Sequence, residues 1–248
     1  MIKGYRAHSI QRILEEVNIL IKDYHITYVD FADELLMTDP DRPVQIAEAL
    51  KPLGIKWDCN GRLNYAKPEI LKKMKEAGCV FINYGIESVD DEVLELMNKK
   101  LHYDQIIAGV EATLEVGISP GLNIIWGNLG DTKDTLWRSV EFLLKYDDHA
   151  QLRTIRPVTP YPGSALYDYA IEKGLLKDIG DFYEKHKNSD LLTVNFTGLS
   201  SEDFYYALYC ANYSLINKYF VSQKITVERQ TIQLYCCGNT SFRGFRQT

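Results

Sequence analysis

The sequence has no apolar run long enough to cross a bilayer and no N-terminal segment typical of a secretory signal. A membrane-spanning helix needs about 20 consecutive apolar residues, and the longest apolar runs here, such as GLNIIWG, are far shorter. The N-terminus MIKGYRAHSIQ has neither the apolar region nor the small-residue cleavage site of a signal peptide. These absences predict a protein without membrane contact, located in the cytoplasm.

The sequence also has no block of like charge. Its 28 basic and 34 acidic residues are mixed along the chain and give a formal net charge of -6. Nucleic-acid-binding proteins typically concentrate lysine and arginine on one face, so we expect no nucleic acid partner and predict small-molecule ligands. The chain of 248 residues, 46% of them hydrophobic, is long enough to form one substantial core.

A cysteine framework for metal binding is missing as well. The five cysteines show no C-x-x-C or C-x-x-x-C-x-x-C spacing, and only Cys236 and Cys237 are adjacent. Two adjacent cysteines cannot both bind one metal ion in an ordinary site without strain. We therefore expect reduced thiols and predict no metal ligand within this chain.

Between residues 8 and 157 the hydrophobic pattern alternates between the helical period and short runs of β-branched and aromatic residues. This alternation is typical of successive β-α units around a parallel sheet. The predicted strands span residues 26–32, 54–60, 81–88, 119–126 and about 150–158. Five strands are fewer than the eight that close a (β/α)8 barrel, so the sequence predicts either an open sheet or an incomplete barrel.

After residue 160 the pattern changes. A turn, TPYPGS, precedes a predicted helix at 165–173, and a polar stretch separates that helix from a short predicted strand at 191–196. A Ser-x-x-Asp pattern starting at Ser200 predicts the beginning of a final long helix that reaches about Phe220. The sequence does not indicate a structure for residues 221–248.

Polar and charged residues follow each predicted strand, where β/α proteins bind their ligands. In strand order the candidates are Asp30, Asp33 and Glu34; Asp58, Asn60 and Arg62; Gly85, Glu87 and Ser88; Asn123, Trp126, Gly127 and Asn128; Arg156, Pro157 and Tyr161. Carboxylates that face an arginine and amides suit a zwitterionic ligand, because arginine binds a carboxylate in a bidentate manner.

Structural interpretations remain open for several of these residues. Ser88 is equally suited to be the N-cap of the next helix. The acids at 90–92 are typical of charges that stabilise a helix N-terminus, and Gly127 and Gly130 suit a simple turn.

Five segments, taken together and in order, resemble the core of the radical S-adenosylmethionine (SAM) superfamily, particularly the branch often joined to a cobalamin-binding domain. They are FADELLMTD (31–39), WDCNGRLNYAKPEILKKMKEAGC (57–79), YGIESVDDEVLELMNK (84–99), GNLGDTKDT (127–135) and PYPGSALYDYAIEKGLL (160–176). The resemblance covers about residues 4–222. It implies an α/β fold of the incomplete, TIM-like β/α barrel type, with a helical C-terminal extension.

The resemblance also implies a set of cofactor-binding residues. Glu87 and Ser88 would contact the ribose and methionine portion of SAM, and Asp33 or Glu34 would face the methionyl ammonium group. Arg62 would meet the carboxylate, and the backbone around Pro157 would pass the adenine. Asn123, on the fourth strand, completes the predicted set, and no catalytic residue is assigned.

The sequence departs from the family in one respect. The C-x-x-x-C-x-x-C loop that holds the four-iron, four-sulfur cluster should precede GYRAHSIQ, and the chain begins after that point. We therefore expect an N-terminally truncated radical SAM domain. Residues 1–160 would form a partial barrel without its first strand, and residues 161–248 would form the extension.

Without a cluster the reductive cleavage of SAM to a 5′-deoxyadenosyl radical cannot occur, so we expect the chain to be inactive alone. The alternative is a catalytically dead SAM-fold module for binding or interaction. A cluster-free lyase that uses Asp33, Glu87 and Arg62 for acid-base chemistry would need a metal ion or a Schiff-base lysine, and the sequence indicates neither. Whether a cobalamin domain accompanies the chain in its parent protein stays open.

A missing first strand would leave the strand at 26–32 as a sheet edge rich in β-branched and aromatic residues. Such an edge pairs readily with another chain. We expect self-association through it unless the C-terminal tail covers it.

Overall fold

The computed structural model describes residues 7–33, 36–37, 39–186 and 194–235. Two compact units divide the chain, the first up to Asn123 and the second from Ile124 onward. The domain boundary predicted at residue 160 stays a prediction. Within the described ranges, no helix combines the length and the apolar composition that a bilayer crossing requires.

The first unit alternates helices with strands. Its elements are α1 (Ile10–Tyr24), β1 (Tyr28–Phe31), α2 (Asp41–Leu50), β2 (Lys56–Gly61), α3 (Pro68–Glu76), β3 (Cys79–Glu87), α4 (Asp91–Leu96), α5 (Tyr103–Glu115) and the beginning of β4 (Ser119–Trp126). Local sequence accounts for several of the helix starts. The Ser9 side chain accepts a hydrogen bond from the Arg12 N–H at the start of α1, and Pro68 occupies the first turn of α3.

The strands follow one another in the sheet in chain order, β1-β2-β3-β4-β5. β1 pairs with β2 in parallel, and β2 pairs with β3 in parallel, with Asn60 opposite Asn83. This arrangement confirms the predicted α/β class with fewer strands than a closed barrel. β1 is an edge strand in this order, and self-association through it stays a prediction.

One face of the β2–β3 pair is the core of the first unit. Trp57, Cys59, Ile82, Tyr84 and Ile86 are at most 2% exposed. Trp57 Nε1 donates to the Ala77 carbonyl at the end of α3 (2.9 Å), and the Tyr84 hydroxyl bonds to Thr113 Oγ1 of α5 (3.1 Å). Because side chains alternate along a strand, the opposite face carries Asp58, Asn60, Asn83 and Glu87.

The burial of Cys59 has a testable chemical consequence. Its hydrogen bond with Cys79 and its burial raise the pKa of the Cys59 thiol well above the usual value. Because the thiolate is the reactive form, we expect slow alkylation of Cys59 by iodoacetamide in the folded protein at pH 8 and fast alkylation in urea. Peptide mass spectrometry after timed labelling measures this. The partly exposed Cys210 is the internal comparison, and equal labelling rates at the two thiols would contradict the prediction.

The second unit contains the end of β4, α6 (Lys133–Tyr146), β5 (Arg156–Pro157), α7 (Ala165–Glu172), α8 (Ile179–Lys185) and α9 (Ser201–Tyr235). β4 pairs with β5 in parallel, with Trp126 opposite Pro157. Trp126 stacks on Phe204 of α9 with ring centroids 4.3 Å apart. A second cluster packs α7 and α8 together around Ala170 and Phe182.

The structure corrects several sequence predictions in the second unit. The fifth strand has two residues instead of about nine. A helix, α8, lies in the polar stretch where no helix was predicted. Asp178 caps its start, and Phe182 is its buried residue. The final helix continues to Tyr235, since the sequence contains no glycine or proline between Ser201 and Tyr235. Of the strand predicted at 191–196, residues 191–193 lie outside the described residues, and residues 194–196 are not a strand.

Candidate functional site

A cleft of about 500 Å³ lies in the first unit, where β2 and β3 end. Its lining comes from the end of β2, the end of β3 and the segment that follows α4. The lining residues are Gly61, Arg62, Leu63, Asn64, Gly85, Glu87, Met97, Asn98, Lys99, Lys100 and Leu101. The carboxyl ends of parallel strands are the usual ligand site in β/α proteins, so this cleft is the candidate site.

Three non-glycine residues of the lining have left-handed backbone conformations. The φ angles are 70° at Glu87, 54° at Asn98 and 54° at Lys100. Such conformations are uncommon for residues with a Cβ, and they tend to cluster at ligand sites. These conformations therefore lie in two of the three segments that line the cleft, the end of β3 and the segment after α4.

Glu87 forms an ion pair across the cleft. Lys99 Nζ lies 3.1 Å from Glu87 Oε1, and the two side chains are 31% and 25% exposed. A Cβ at Gly85 would lie 2.6 Å from Glu87 Oε1. Position 85 therefore requires glycine if the carboxylate is to keep this position.

Arg62 is a further cation in the cleft lining, beside Lys99 and Lys100. It is exposed and precedes a short 3₁₀ turn, Leu63–Tyr65, so its backbone is fixed while its guanidinium group stays accessible to solvent. Together with Lys99 and Lys100 it gives the cleft lining three cationic residues and one carboxylate. This charge set suits a zwitterionic ligand. The sequence predicted Arg62 and Glu87, but it did not indicate Lys99, since a lysine in a loop reads as an ordinary solvent-exposed charge.

Ser88 follows the strand as predicted but does not cap the helix. Its side chain is buried, and its Oγ accepts a hydrogen bond from the Asp90 N–H at 3.1 Å. The N-cap of α4 is Asp90, whose carboxylate accepts from the Val93 N–H at 3.1 Å. The interpretation of Ser88 as the N-cap was wrong, because Asp90 occupies that position. The acids Asp91 and Glu92 lie in the first helical turn, as predicted.

The other predicted cofactor-binding residues are distributed as follows. Asp33 has an exposed side chain, and its backbone carbonyl accepts from Asn60 Nδ2 at 2.9 Å. Glu34 lies outside the described residues. Pro157 belongs to the second unit, where it is buried and paired with Trp126.

Asn123 belongs to a hydrogen-bonded row of three asparagines on the polar face of the sheet. Asn123 Nδ2 donates to Asn83 Oδ1 (2.8 Å), and Asn83 Nδ2 donates to Asn60 Oδ1 (2.9 Å). The sequence placed Asn60 and Asn123 at strand ends but did not single out Asn83. Only the strand register, which puts Asn60 opposite Asn83, reveals the row.

In the second unit, the loop GNLGDT forms a tight turn after β4. Gly127 and Gly130 have φ angles of 103° and 86°, which confirms their interpretation as turn residues. Asp131 Oδ2 accepts from the N–H groups of Gly127 and Asn128, both at 2.9 Å. The loop is therefore held by a carboxylate from its own sequence.

A tyrosine–aspartate pair lies on the polar face near the start of β1. The Tyr28 hydroxyl donates to Asp58 Oδ2. Burial, followed by the hydrogen bond and the charge of Asp58, raises the pKa of Tyr28 well above its usual value of 10.0. Burial also raises the pKa of Asp58.

The raised pKa of Tyr28 predicts a loss of stability in alkali. Above about pH 10 the unfolded tyrosine loses its proton while the folded one keeps it, so the free energy of unfolding falls as the pH rises. We expect Tyr28→Phe to reduce the slope of the urea midpoint against pH between pH 9 and 11. Tyr24→Phe, at an exposed position on α1, is the matched control. Identical slopes for Tyr28→Phe and the wild type would contradict the prediction.

The fold and the cleft define a β/α protein with a candidate ligand site at its strand ends, and comparison with known proteins specifies the family. The model of the Radical SAM superfamily matches residues 1–143. The chain belongs to the radical SAM superfamily. The predicted incomplete β/α barrel, with its C-terminal helix, is thereby confirmed as the fold class.

Individual relatives agree with this assignment. An uncharacterized methyltransferase of Pyrococcus horikoshii is 34% identical over 177 residues, which are 70% of this chain and 38% of the relative. The structure of the methyltransferase TsrM from Kitasatospora setae with tryptophan and a SAM analogue has a TM-score of 0.53 at 14% identity, covering 62% of this chain and 31% of that one. The TsrM structure with cobalamin and a [4Fe-4S] cluster has a TM-score of 0.52 at 14% identity, covering 60% and 28%. The chain thus spans well under half the length of these relatives.

The superfamily implies SAM and a four-iron, four-sulfur cluster, and the chain fits them unequally. The charges of the cleft fit the amino-acid portion of SAM. The described residues do not fit the cluster, because no three cysteine, histidine or acidic side chains among them are grouped to hold a metal ion. Cys59 and Cys79 are buried in the core, and Cys210 lies on α9.

Proposed function

We propose that the chain binds SAM in the cleft at the ends of β2 and β3 and serves as the SAM-binding part of a radical SAM enzyme. The Glu87–Lys99 ion pair beside Arg62 carries this proposal. A cleft that holds both charge signs on strained backbone suits a ligand with an ammonium and a carboxylate group, and SAM has both.

The charges suggest how the ligand lies. Arg62 and Lys99 are assigned to the methionyl carboxylate, because cation–carboxylate hydrogen bonds are the stronger charge-assisted type. Glu87 is assigned to a donor on the ligand, either the ammonium group or a ribose hydroxyl. Ser88, Asp33, Glu34, Asn123 and Pro157 remain predicted contacts of the same cofactor.

The activity assigned to the assembled enzyme is the reductive cleavage of SAM at an iron–sulfur cluster. Because the described residues of this chain do not group cluster ligands, the ligands would come from elsewhere in the assembled enzyme. The same observation favours a second candidate, a SAM-fold module that binds the ligand without chemistry. A cobalamin domain in the parent enzyme is also proposed, since TsrM, a protein of similar fold, is described with cobalamin bound.

Anaerobic iron–sulfide reconstitution separates the two candidates. The experiment uses the chain alone and any longer natural polypeptide that contains it, with absorption spectra, electron paramagnetic resonance and 5′-deoxyadenosine formation as readouts. Isothermal titration calorimetry of the chain with SAM runs beside it. The enzyme proposal expects SAM binding by both forms, and cluster uptake with 5′-deoxyadenosine formation only by the longer one. SAM binding without cluster uptake in either form would support the binding module, and absence of SAM binding would overturn both.

A further inference from the structure

The row of asparagines on the polar face has a single direction. Asn60 Nδ2 donates to the Asp33 carbonyl at 2.9 Å, Asn83 Nδ2 donates to Asn60 Oδ1 at 2.9 Å, and Asn123 Nδ2 donates to Asn83 Oδ1 at 2.8 Å. Every bond runs from the later strand toward the earlier one. We call these three residues, with the Asp33 carbonyl, the amide ladder.

The direction of the amide ladder follows from its first member. A backbone carbonyl only accepts hydrogen bonds, so Asn60 must turn its NH₂ group toward Asp33. Its carbonyl oxygen then faces Asn83, which must in turn present its NH₂ group to Asn60. The same step orients Asn123, so that Asn123 Oδ1 is the free acceptor at the end of the ladder.

The surroundings of the amide ladder leave this end open to a ligand. Asn123 is exposed, and among the described residues its Oδ1 accepts no hydrogen bond. The ladder lies on the same face of β3 as the cleft residues Gly85 and Glu87. Asn83 precedes Gly85 by two residues, which is about 7 Å along a strand. The ladder therefore lies on the face of β3 that ends at the cleft, next to its lining residues.

Gly121 on β4 is part of the same arrangement. A Cβ at this position would lie 2.4 Å from Asn83 Oδ1 and 2.8 Å from the Phe81 ring. Its backbone is not in the left-handed region, so nothing but this space requires a glycine. The absence of a side chain at position 121 lets Asn83 reach Asn123.

We propose that Asn60 and Asn83 are positioning residues that hold the side-chain oxygen of Asn123, Oδ1, toward the ligand. The site would then select a ligand that has an N–H or O–H donor facing Asn123 Oδ1. The inference rests on the proposed function in taking the ligand to be SAM. The neutral donors of SAM are its ribose hydroxyls and its adenine amino group. A ladder that served stability alone would not discriminate between ligands that differ only in such a donor.

A first test needs no ligand. In ¹⁵N-labelled protein, the side-chain amide resonances of Asn123 are expected to shift when Asn60 is replaced by leucine, although Asn83 lies between the two residues. Asn18→Leu, which removes an exposed asparagine from α1, is the matched control and should leave them unchanged. Unmoved Asn123 resonances in Asn60→Leu would overturn the positioning role.

A second test measures selectivity by calorimetry with SAM and its 2′-deoxy, 3′-deoxy and N6-dimethyl analogues. The wild type is expected to bind one of these analogues roughly three- to tenfold more weakly than SAM, the value of one neutral hydrogen bond. Which analogue is affected identifies the donor. In Asn60→Leu and Asn83→Leu this preference should disappear.

Gly121→Ala should also abolish the preference, because its Cβ would displace the Asn83 side chain without removing an amide. This variant serves as the test if an asparagine variant fails to fold. A preference that is retained in all the variants, or is absent from the wild type, would overturn the selectivity. If the wild type does not bind SAM, the proposed function and the ligand assigned here both fail. The amide resonances would still decide the positioning role of Asn60.

Discussion

Replacing Glu87 with glutamine is expected to weaken SAM binding by this chain by roughly 10- to 100-fold, the range for losing a hydrogen bond to a charged group. The change removes the negative charge but keeps the shape of the side chain. Lys99, 3.1 Å from Oε1, would lose its partner, and the ligand would lose its carboxylate acceptor. Calorimetry on the folded variant measures the effect.

The matched control is Glu92→Gln, on the exposed surface of α4 one turn away from the strand end. It removes the same charge outside the cleft and should bind SAM within about twofold of the wild type. Lys99→Met and the double variant complete a cycle, in which a coupling of 0.5–3 kcal/mol is typical of residues in contact. Glu87→Gln with wild-type affinity would rule out Glu87 as a ligand contact.

The substitution Glu87→Gly is expected to change SAM binding and the free energy of unfolding in different directions. The left-handed backbone of Glu87, with φ at 70°, costs a residue with a Cβ about 1–2 kcal/mol relative to an ordinary conformation. Glycine does not carry that cost, so Glu87→Gly should keep or raise the free energy of unfolding while binding is lost. This opposition is expected where strain serves a ligand site rather than stability.

The sequence predicted those parts of the molecule that depend on local pattern. Strands rich in β-branched and aromatic residues were recognised, and β4 was predicted with the bounds that it has in the structure. The ends of β2 and β3 could be identified as a candidate ligand site because parallel strands present their carboxyl ends together. Arg62 and Glu87, which line the cleft, were singled out by this route.

The features that were missed depend on distance or register. Lys99 follows Glu87 by twelve residues, and only the path of the chain after α4 brings it to the carboxylate. Asn83 can be recognised as part of the hydrogen-bonded row only from its position opposite Asn60. Helix α8 has a polar sequence with one buried aromatic residue, Phe182, so it lacks the apolar stripe that reveals a helix.

Asp131 belongs to a motif that carries the family resemblance, and its contacts in the structure stabilise the loop after β4. Asp131 is almost fully buried within the GNLGDT loop, and both of its carboxylate oxygens accept hydrogen bonds. Oδ2 accepts from the N–H groups of Gly127 and Asn128, and Oδ1 accepts from the Thr135 hydroxyl at 2.7 Å. The carboxylate thereby joins the end of β4 to the first turn of α6.

Replacing Asp131 with alanine is expected to lower the free energy of unfolding by about 3 kcal/mol or more, because each buried donor left without an acceptor costs about 1–3 kcal/mol. Asp131→Asn should lose less, since its one remaining oxygen still serves some of the donors. Asp134→Ala, at an exposed acid three residues later, is the control and should change stability by less than about 1 kcal/mol. Urea unfolding followed by circular dichroism compares the three variants. Equal midpoints for Asp131→Ala and Asp134→Ala would mean that the backbone alone holds the loop, and the buried carboxylate would then need another role.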